Sequence, residues 1–286
     1  MNLLDFRKNI YTQNGEDGIV EKIFEVIGGG KETCCEFGAW DGSHLSNTRN
    51  LILKGWRAVL IEGDRDRYRD LVTNYRDNPK AHCLNCFVDT GENRLENLLN
   101  RFGVVDLDFL SIDIDGLDYE IFRALQIRPR VICVESSCVL DPRRSDLIDR
   151  TWASQNVGQS LGVFSTVATA KGYGLVCFNG NAFYVRNDLM GPFELLSDES
   201  AYDQYVNQDL SFENRKYLYL MNLGLLPPYY KHNNSLLTRR RLGIRLPGLL
   251  NDLVTGWYNR IGHGVRTTIR QRKSKTRTVE NSRHSN

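Results

Sequence analysis

Up to about residue 190 the chain alternates short apolar runs with longer amphipathic stretches, five times over, and then breaks the rhythm. The strand-length runs are Cys34–Gly38, Arg57–Glu62, His82–Val88, Leu107–Asp113 and Arg130–Glu135. Between them lie helical patterns. His44 to Lys54 carries leucine or isoleucine at 45, 51, 52 and 53 and stops before Gly55. Asp64 caps a helix through Tyr75, with Tyr68, Leu71, Val72 and Tyr75 on one face. Leu95, Leu98, Leu99 and Phe102 mark the next, and Leu117 to Leu125 the one after. Parallel neighbours need a crossover, so this alternation predicts a parallel sheet with helices on both faces. A further helix, Ser160 to Lys171, ends at Gly172. Two strands, Gly174–Phe178 and Ala182–Arg186, then flank Asn179-Gly-Asn181, which predicts a hairpin and hence an antiparallel ending.

Composition narrows the class. With 41% apolar and 25% charged residues in 286, the chain has enough to build a core. No stretch reaches the ~18–20 apolar residues of a membrane-spanning helix. The first residues, Met1 to Lys8, lack the apolar centre of a signal peptide. Seven scattered cysteines are not a disulfide framework, so a reducing, cytoplasmic setting is expected. Cys83-x-x-Cys86 has metal spacing but no second pair, and reads as reduced thiols.

After Pro192 the character changes. The reading is a domain over 1–193, a helical extension over 194–262 and a basic, unstructured tail over 263–286. Pro247 to Ile261 has the pattern of an amphipathic helix, and Gly256–Asn286 holds eight Lys or Arg against one acid, Glu280. The tail is open to contact with phosphates or an anionic membrane surface, though a solvated tail is the preferred reading. Pro227-Pro-Tyr-Tyr230 resembles the tetrapeptide of amino-methylating DNA enzymes but lacks its leading acid or Asn and lies far from strand four.

Chemistry gathers where the strands end. Glu36-Phe-Gly38-Ala39-Trp40-Asp41-Gly42 is a glycine-bearing turn at the end of strand one, where such sheets take their ligands. Its spacing is E-x-G-x-x-x-G, not the dinucleotide pattern G-x-G-x-x-G. A carboxylate at Glu36 suits a ligand with a cationic centre or ammonium group, and S-adenosylmethionine has both. Glu62, closing strand two before Gly63, is placed to accept ribose hydroxyls. Phe87, Val88 and Asp89 are placed to flank an adenine. After strand four, Asp113, Asp115 and Asp118 crowd together, with Glu135 ending strand five. Such a set calls for compensation by a sulfonium, a hard divalent ion such as Mg2+ or Mn2+, or a shared proton. Asp118 has an alternative role as a helix cap. Asp113, as base or metal ligand, is the leading catalytic candidate, with Asp115 and Glu135 assisting and His44 as the rival base.

Several blocks together resemble the FkbM-type S-adenosylmethionine-dependent methyltransferases. They are Gln13-Asn-Gly-Glu-Asp17, Glu36 to Gly42 running into Leu45-Ser-Asn-Thr-Arg-Asn50, Leu60-Ile-Glu-Gly-Asp64, Ser111-Ile-Asp-Ile-Asp-Gly-x-Asp-Tyr119 and Asn181-Ala-Phe-Tyr-Val-Arg186. The resemblance spans about residues 10–190, and the tail lies outside it. It implies a class I methyltransferase (Rossmann-like) fold, a seven-stranded, mostly parallel sheet closed by the antiparallel hairpin. It also implies methylation of a hydroxyl on a sugar, polysaccharide or secondary metabolite, with Gln13 and Glu16 over the donor. A small-molecule or glycan acceptor is therefore expected. A nucleic-acid methyltransferase is disfavoured because the acids make the pocket negative. A non-catalytic nucleotide-binding partner in glycan assembly is the third reading.

Overall fold

The computed structural model describes residues 1–114, 116–138, 140–147 and 158–208. Among them, seven strands form one sheet in the order β3-β2-β1-β4-β5-β7-β6. They are β1 (Thr33–Phe37), β2 (Arg57–Glu62), β3 (Ala81–Asn85), β4 (Phe109–Ile112), β5 (Val131–Glu135), β6 (Tyr173–Phe178) and β7 (Asn181–Arg186). The first five run parallel, and β7 pairs antiparallel with both β5 and β6. This is the predicted class I methyltransferase, Rossmann-like arrangement. The Asn179-Gly180 turn closes the hairpin with Gly180 at φ 103°, a conformation glycine adopts without strain.

The helices are α1 (Glu16–Ile27), α2 (Arg49–Leu53), α3 (Arg65–Tyr75), α4 (Leu95–Asn100), α5 (Asp118–Ala124), α6 (Leu161–Ala170) and α7 (Asp198–Gln208). Strand side chains alternate between faces. Cys34, Ala58, Leu60, Phe109, Val131 and Cys133 pack with Ile19, Ile23 and Phe24 of α1, Leu51 and Ile52 of α2, and Leu71 and Tyr75 of α3. On the opposite face Phe122 of α5 meets Phe164 of α6 and Tyr184 of β7. With both faces covered, the strands read as unbroken apolar runs. Asp64 caps α3 through the amides of Asp66 and Arg67, and Ser160 caps α6 through that of Val163.

Three expectations change. The helix expected from His44 starts only at Arg49, because Ser46, Asn47 and Thr48 spend their donors elsewhere. Strand three ends at Asn85 rather than Val88. Val72, assigned to the buried face of α3, is 39% exposed, while Leu71 and Tyr75 carry the packing.

Beyond residue 193, α7 packs onto the sheet. Tyr205 lies 5.2 Å edge-on to Phe178, and Tyr202 donates its hydroxyl to the Cys138 carbonyl at 2.7 Å. The helix expected over 247–261 and the basic tail lie outside the described residues. Among the described residues no helix is long and apolar enough to cross a membrane.

Candidate functional site

The strand order reverses between β1 and β4, and in open parallel sheets a crevice forms there at the carboxyl ends. Register brings the chemistry of six strands into line. Glu62 pairs with Asn85, Phe37 with both Ile61 and Ile112, Ile112 with Val134, and Glu135 with Asn181. One residue beyond Phe37 and Ile112, the row across the sheet therefore reads Asn85, Glu62, Gly38, Asp113, Glu135, Asn181. Alternation puts Asp113 on the same face as Ser111, and Glu135 on that of Cys133. Glu16, Asp113 and Glu36 all act electrostatically on the buried Cys133 thiol, whose pKa is raised chiefly by burial and further by these charges.

The loop after β1 is anchored by two acids. Glu36 is buried, and its carboxylate accepts from Ser46 Oγ at 2.6 Å, Thr48 Oγ1 at 2.6 Å and the Asn47 amide at 2.8 Å. Asn47 Nδ2 continues to Ser111 Oγ on β4 at 3.0 Å. Burial pushes the Glu36 carboxyl above its ordinary value, and these hydrogen bonds offset part of that rise. The sequence reading assigned Glu36 to a cationic ligand; in the structure its carboxylate holds Ser46–Thr48 out of the helix. Three consecutive small polar residues in a helical pattern were the available signal.

Glu62 accepts from the Trp40 amide at 2.8 Å through Oε2 and from the Asp64 amide at 2.8 Å through Oε1. Each oxygen keeps acceptor capacity for a ribose hydroxyl. Trp40 sits at φ 49°, unusual for a bulky residue, and its ring is 41% exposed. The Arg67 guanidinium lies 4.5 Å from that ring and the His44 ring 5.5 Å away, edge-on. Asp41 Oδ1 accepts from the amides of Ser43 and His44, closing the turn. Ala39 is buried beneath it.

The glycines have reasons that sequence alone did not supply. Gly38 has φ 76°, and a Cβ there would stand 1.8 Å from the Asp113 carbonyl oxygen. A side chain at 38 would thus strike the backbone of the residue just past β4. Gly42, at φ 68°, would meet Tyr75 at 2.4 Å and Leu71 at 2.5 Å. At Gly63 a Cβ would lie 2.3 Å from the Phe87 ring, which rests over that glycine yet is 76% exposed. Phe87 is therefore an apolar plate beside Glu62, where a nucleobase was expected.

Other predicted residues fall as follows. Asp118 accepts from the amides of Ile114 at 2.9 Å and Gly116 at 3.0 Å, so it stitches the turn after β4. Asp89 Oδ1 accepts from the amides of Gly91 and Asn93 and shapes its own loop. Glu16 is buried and bridges the amide of Asn14 at 2.8 Å and Nδ2 of Asn181 at 3.0 Å. Gln13 is exposed, its carbonyl accepting from Asn9. Asp115 lies outside the described residues. Among the described residues no three His, Cys, Asp or Glu groups are placed to hold a metal ion. Cys83 and Cys86 are both free thiols, the former pushed up to about 11 by burial.

Sequence reasoning placed Gln13 and Glu16 of the N-terminal segment over the donor but did not foresee what Asp17 does there. Asp17 Oδ2 accepts from the amides of Ile10, Tyr11 and Thr12 and from Thr12 Oγ1, at 2.7–3.0 Å. Asn179 Nδ2 donates to the Asn14 carbonyl, tying this segment to the hairpin. Its acids, Glu16 and Asp17, join Glu36 and Glu62 in one pattern. All four are at most 5% exposed, and all four are held by neutral donors. Among the described residues, no salt bridge reaches any of them.

No family model matches this chain, and no curated protein matches it at a significant level. Solved structures do. An O-methyltransferase from Bacillus cereus in complex with SAH is 17% identical, covers 57% of this chain and 78% of its own, and has a TM-score of 0.41. An SAH-bound Podospora anserina methyltransferase is 13% identical, covers 59% and 78%, and has a TM-score of 0.39. An O-methyltransferase family protein from Burkholderia thailandensis is 12% identical, covers 60% and 58%, and has a TM-score of 0.38. The fold assignment above rests on the strand order and not on these likenesses.

Proposed function

We propose that the chain is an S-adenosylmethionine-dependent methyltransferase that methylates a hydroxyl of a sugar, polysaccharide or secondary metabolite, as its FkbM-type resemblance implies. The observation that carries this reading is the set of four buried carboxylates, Glu16, Asp17, Glu36 and Glu62, held by neutral donors at the carboxyl edge. Buried charge without a counter-charge is costly. A ligand bringing its own positive charge lowers that cost, and a sulfonium nucleoside with an ammonium group fits. The donor, when bound, supplies an electrophilic methyl group.

The chain's residues do the rest. Glu62 offers acceptors to the ribose, and Phe87 offers a face to the adenine. Trp40, with its amide fixed by Glu62 and Arg67 against its ring, forms the rim toward the acceptor. Asp113 stands one step past the buried end of β4 and takes the proton from the acceptor hydroxyl onto a carboxylate oxygen. His44 is its rival at the rim. In a metal-assisted variant, Asp113, Asp115 and Glu135 would hold Mg2+ or Mn2+, which would lower the pKa of the acceptor hydroxyl.

Calorimetry with S-adenosylmethionine and S-adenosylhomocysteine tests the first step, with micromolar binding expected. Preference for a nicotinamide dinucleotide would overturn it. Transfer of labelled methyl to a panel of glycans and small hydroxyl compounds tests the second; donor binding without any transfer favours the non-catalytic reading. Asp113→Asn is expected to lower turnover on the order of 10²-fold with donor affinity nearly unchanged. Loss of activity in EDTA with recovery in Mg2+ or Mn2+ separates the metal-assisted route from a carboxylate base.

A further inference from the structure

Among the described residues three non-glycine residues have left-handed backbone: Glu32, Trp40 and Leu45, at φ 56°, 49° and 58°. Two of them sit in the loop after β1. That conformation crowds a β-carbon against the backbone, so glycine or asparagine holds it more easily. A large apolar side chain stays there at a cost, and burial is the usual compensation. Here that compensation is missing: Trp40 is 41% exposed and Leu45 40%.

The loop is nonetheless pinned at each turn. Glu62 holds the Trp40 amide, and Asp41 Oδ1 holds the amides of Ser43 and His44. Asn74 Nδ2 donates to the Asp41 carbonyl at 2.8 Å, and the Tyr75 hydroxyl donates to that of Gly42. Strain kept in place by its surroundings points to a functional surface. The loop displays an indole ring, the exposed His44 ring 5.5 Å away edge-on, and the Arg67 guanidinium 4.5 Å from the indole. Arg67 forms no salt bridge among the described residues. Asp64, the acid it acts on, spends Oδ1 on the amides that open α3.

An acidic sugar has the complementary surface. One face of a pyranose presents C–H groups to the electron-rich face of an indole, and its hydroxyls bond imidazole nitrogens. A carboxylate or phosphate on the sugar matches a guanidinium. The Trp40 amide is bonded to Glu62, which the donor reading places on the ribose, so a sugar on this ring lies beside the donor.

We infer that Trp40, His44 and Arg67 form a binding subsite for an acidic saccharide, the acceptor class for methyl transfer. This rests on the methyltransferase reading above.

The test measures binding of saccharides to the full chain by calorimetry, with S-adenosylhomocysteine present. The probes are glucuronate oligosaccharides, phosphomannose oligosaccharides and neutral glucose oligosaccharides. At least one acidic probe is expected to bind about 10-fold or more tightly than the neutral one. Arg67→Gln is expected to erase that preference. Trp40→Asn, which keeps a residue suited to left-handed backbone, is expected to weaken acidic saccharide binding by about 10-fold or more. Its melting temperature is expected to stay level or rise, and its affinity for S-adenosylhomocysteine to change less than about threefold. A clear drop in melting temperature would make Trp40 a packing residue and overturn the inference, as would unchanged saccharide binding. Equal affinity for acidic and neutral probes overturns it too. So does binding to phosphatidylglycerol vesicles that Trp40→Asn abolishes, since the face would then be a membrane contact. If Trp40→Asn does not fold, Arg67→Gln decides. Binding of S-adenosylhomocysteine but of no saccharide overturns the subsite and leaves the donor reading intact; binding of neither overturns both.

Discussion

The two ends of the parallel sheet treat buried acid in opposite ways. At the amino end, Asp108 is buried and receives the Thr33 amide at 2.9 Å, Thr33 Oγ1 at 3.1 Å and Arg130 Nη1 at 3.3 Å. Arg130 continues to the carbonyls of Ile27 and Gly28. That end is electrically closed and sews the α1–β1 turn to β5. At the carboxyl end, Glu16, Asp17, Glu36 and Glu62 are as deeply buried, yet among the described residues their hydrogen bonds come from amides and hydroxyls alone. The contrast separates an acid paired with a guanidinium from four held by neutral donors, and the donor reading proposed above rests on the second set.

The largest effect expected from breaking this contrast is at Gly38. Gly38→Val combines a left-handed backbone with a side chain driven into the Asp113 carbonyl. A loss of more than ~4 kcal/mol in denaturant unfolding, or no folded protein, is expected. Near-native stability would show that the glycine serves a ligand and not the backbone just past β4.

Next, Asp108→Asn and Glu62→Gln compare the two ends directly. Asp108→Asn leaves Arg130 without its carboxylate and is expected to cost about 3 kcal/mol while donor affinity stays the same. Glu62→Gln turns an amide donor toward one of two backbone N–H groups and is expected to cost about 1 kcal/mol. Its donor affinity is expected to fall 10-fold or more. Reversal of that pattern, seen by chemical unfolding and calorimetry together, would erase the distinction.

A smaller effect concerns pH. The folded-state pKa of Glu36 lies above its ordinary value of 4.5 because of burial. Between those two values the folded chain holds a proton that the unfolded chain has released. Stability contributed at this site therefore falls as pH rises through that interval. Relative to the unaltered chain, Glu36→Gln is expected to gain in melting temperature as pH is raised from 4 to 7. A constant difference would mean the carboxyl titrates normally.

The smallest effect is kinetic. Burial raises the thiol pKa of Cys34, Cys35 and Cys133 strongly, that of Cys83 to about 11, and that of half-buried Cys86 modestly. Alkylation followed by mass spectrometry at pH 8 is expected to modify Cys86 first and the three buried thiols only on unfolding. Early modification of Cys133 would mean that the carboxyl edge opens further than its contacts imply.

Much of the architecture was legible in the sequence because it is written in local pattern. Strand-length runs bounded by glycines and helix caps produced the parallel order, and Asn179-Gly180 marked the antiparallel ending before any long-range contact was known. Glu62 and Gly38 were legible as strand-end positions for the same reason, since both lie where a strand must stop. What only the tertiary structure decided lies in contacts between distant residues. Asn181 reaches Glu16 across 165 positions, and Asn47 reaches Ser111 across 64. Helical spacing over 44–54 lost to Glu36, because three hydrogen bonds to a buried carboxylate outweigh one turn of helix. The requirement for glycine at 38 comes from the backbone just past β4, which no periodicity in β1 records. Nor does any local pattern show that Asp108 meets an arginine while Glu36 and Glu62 do not: a charge's partner is set by which strands become neighbours, and that is settled only when the sheet closes.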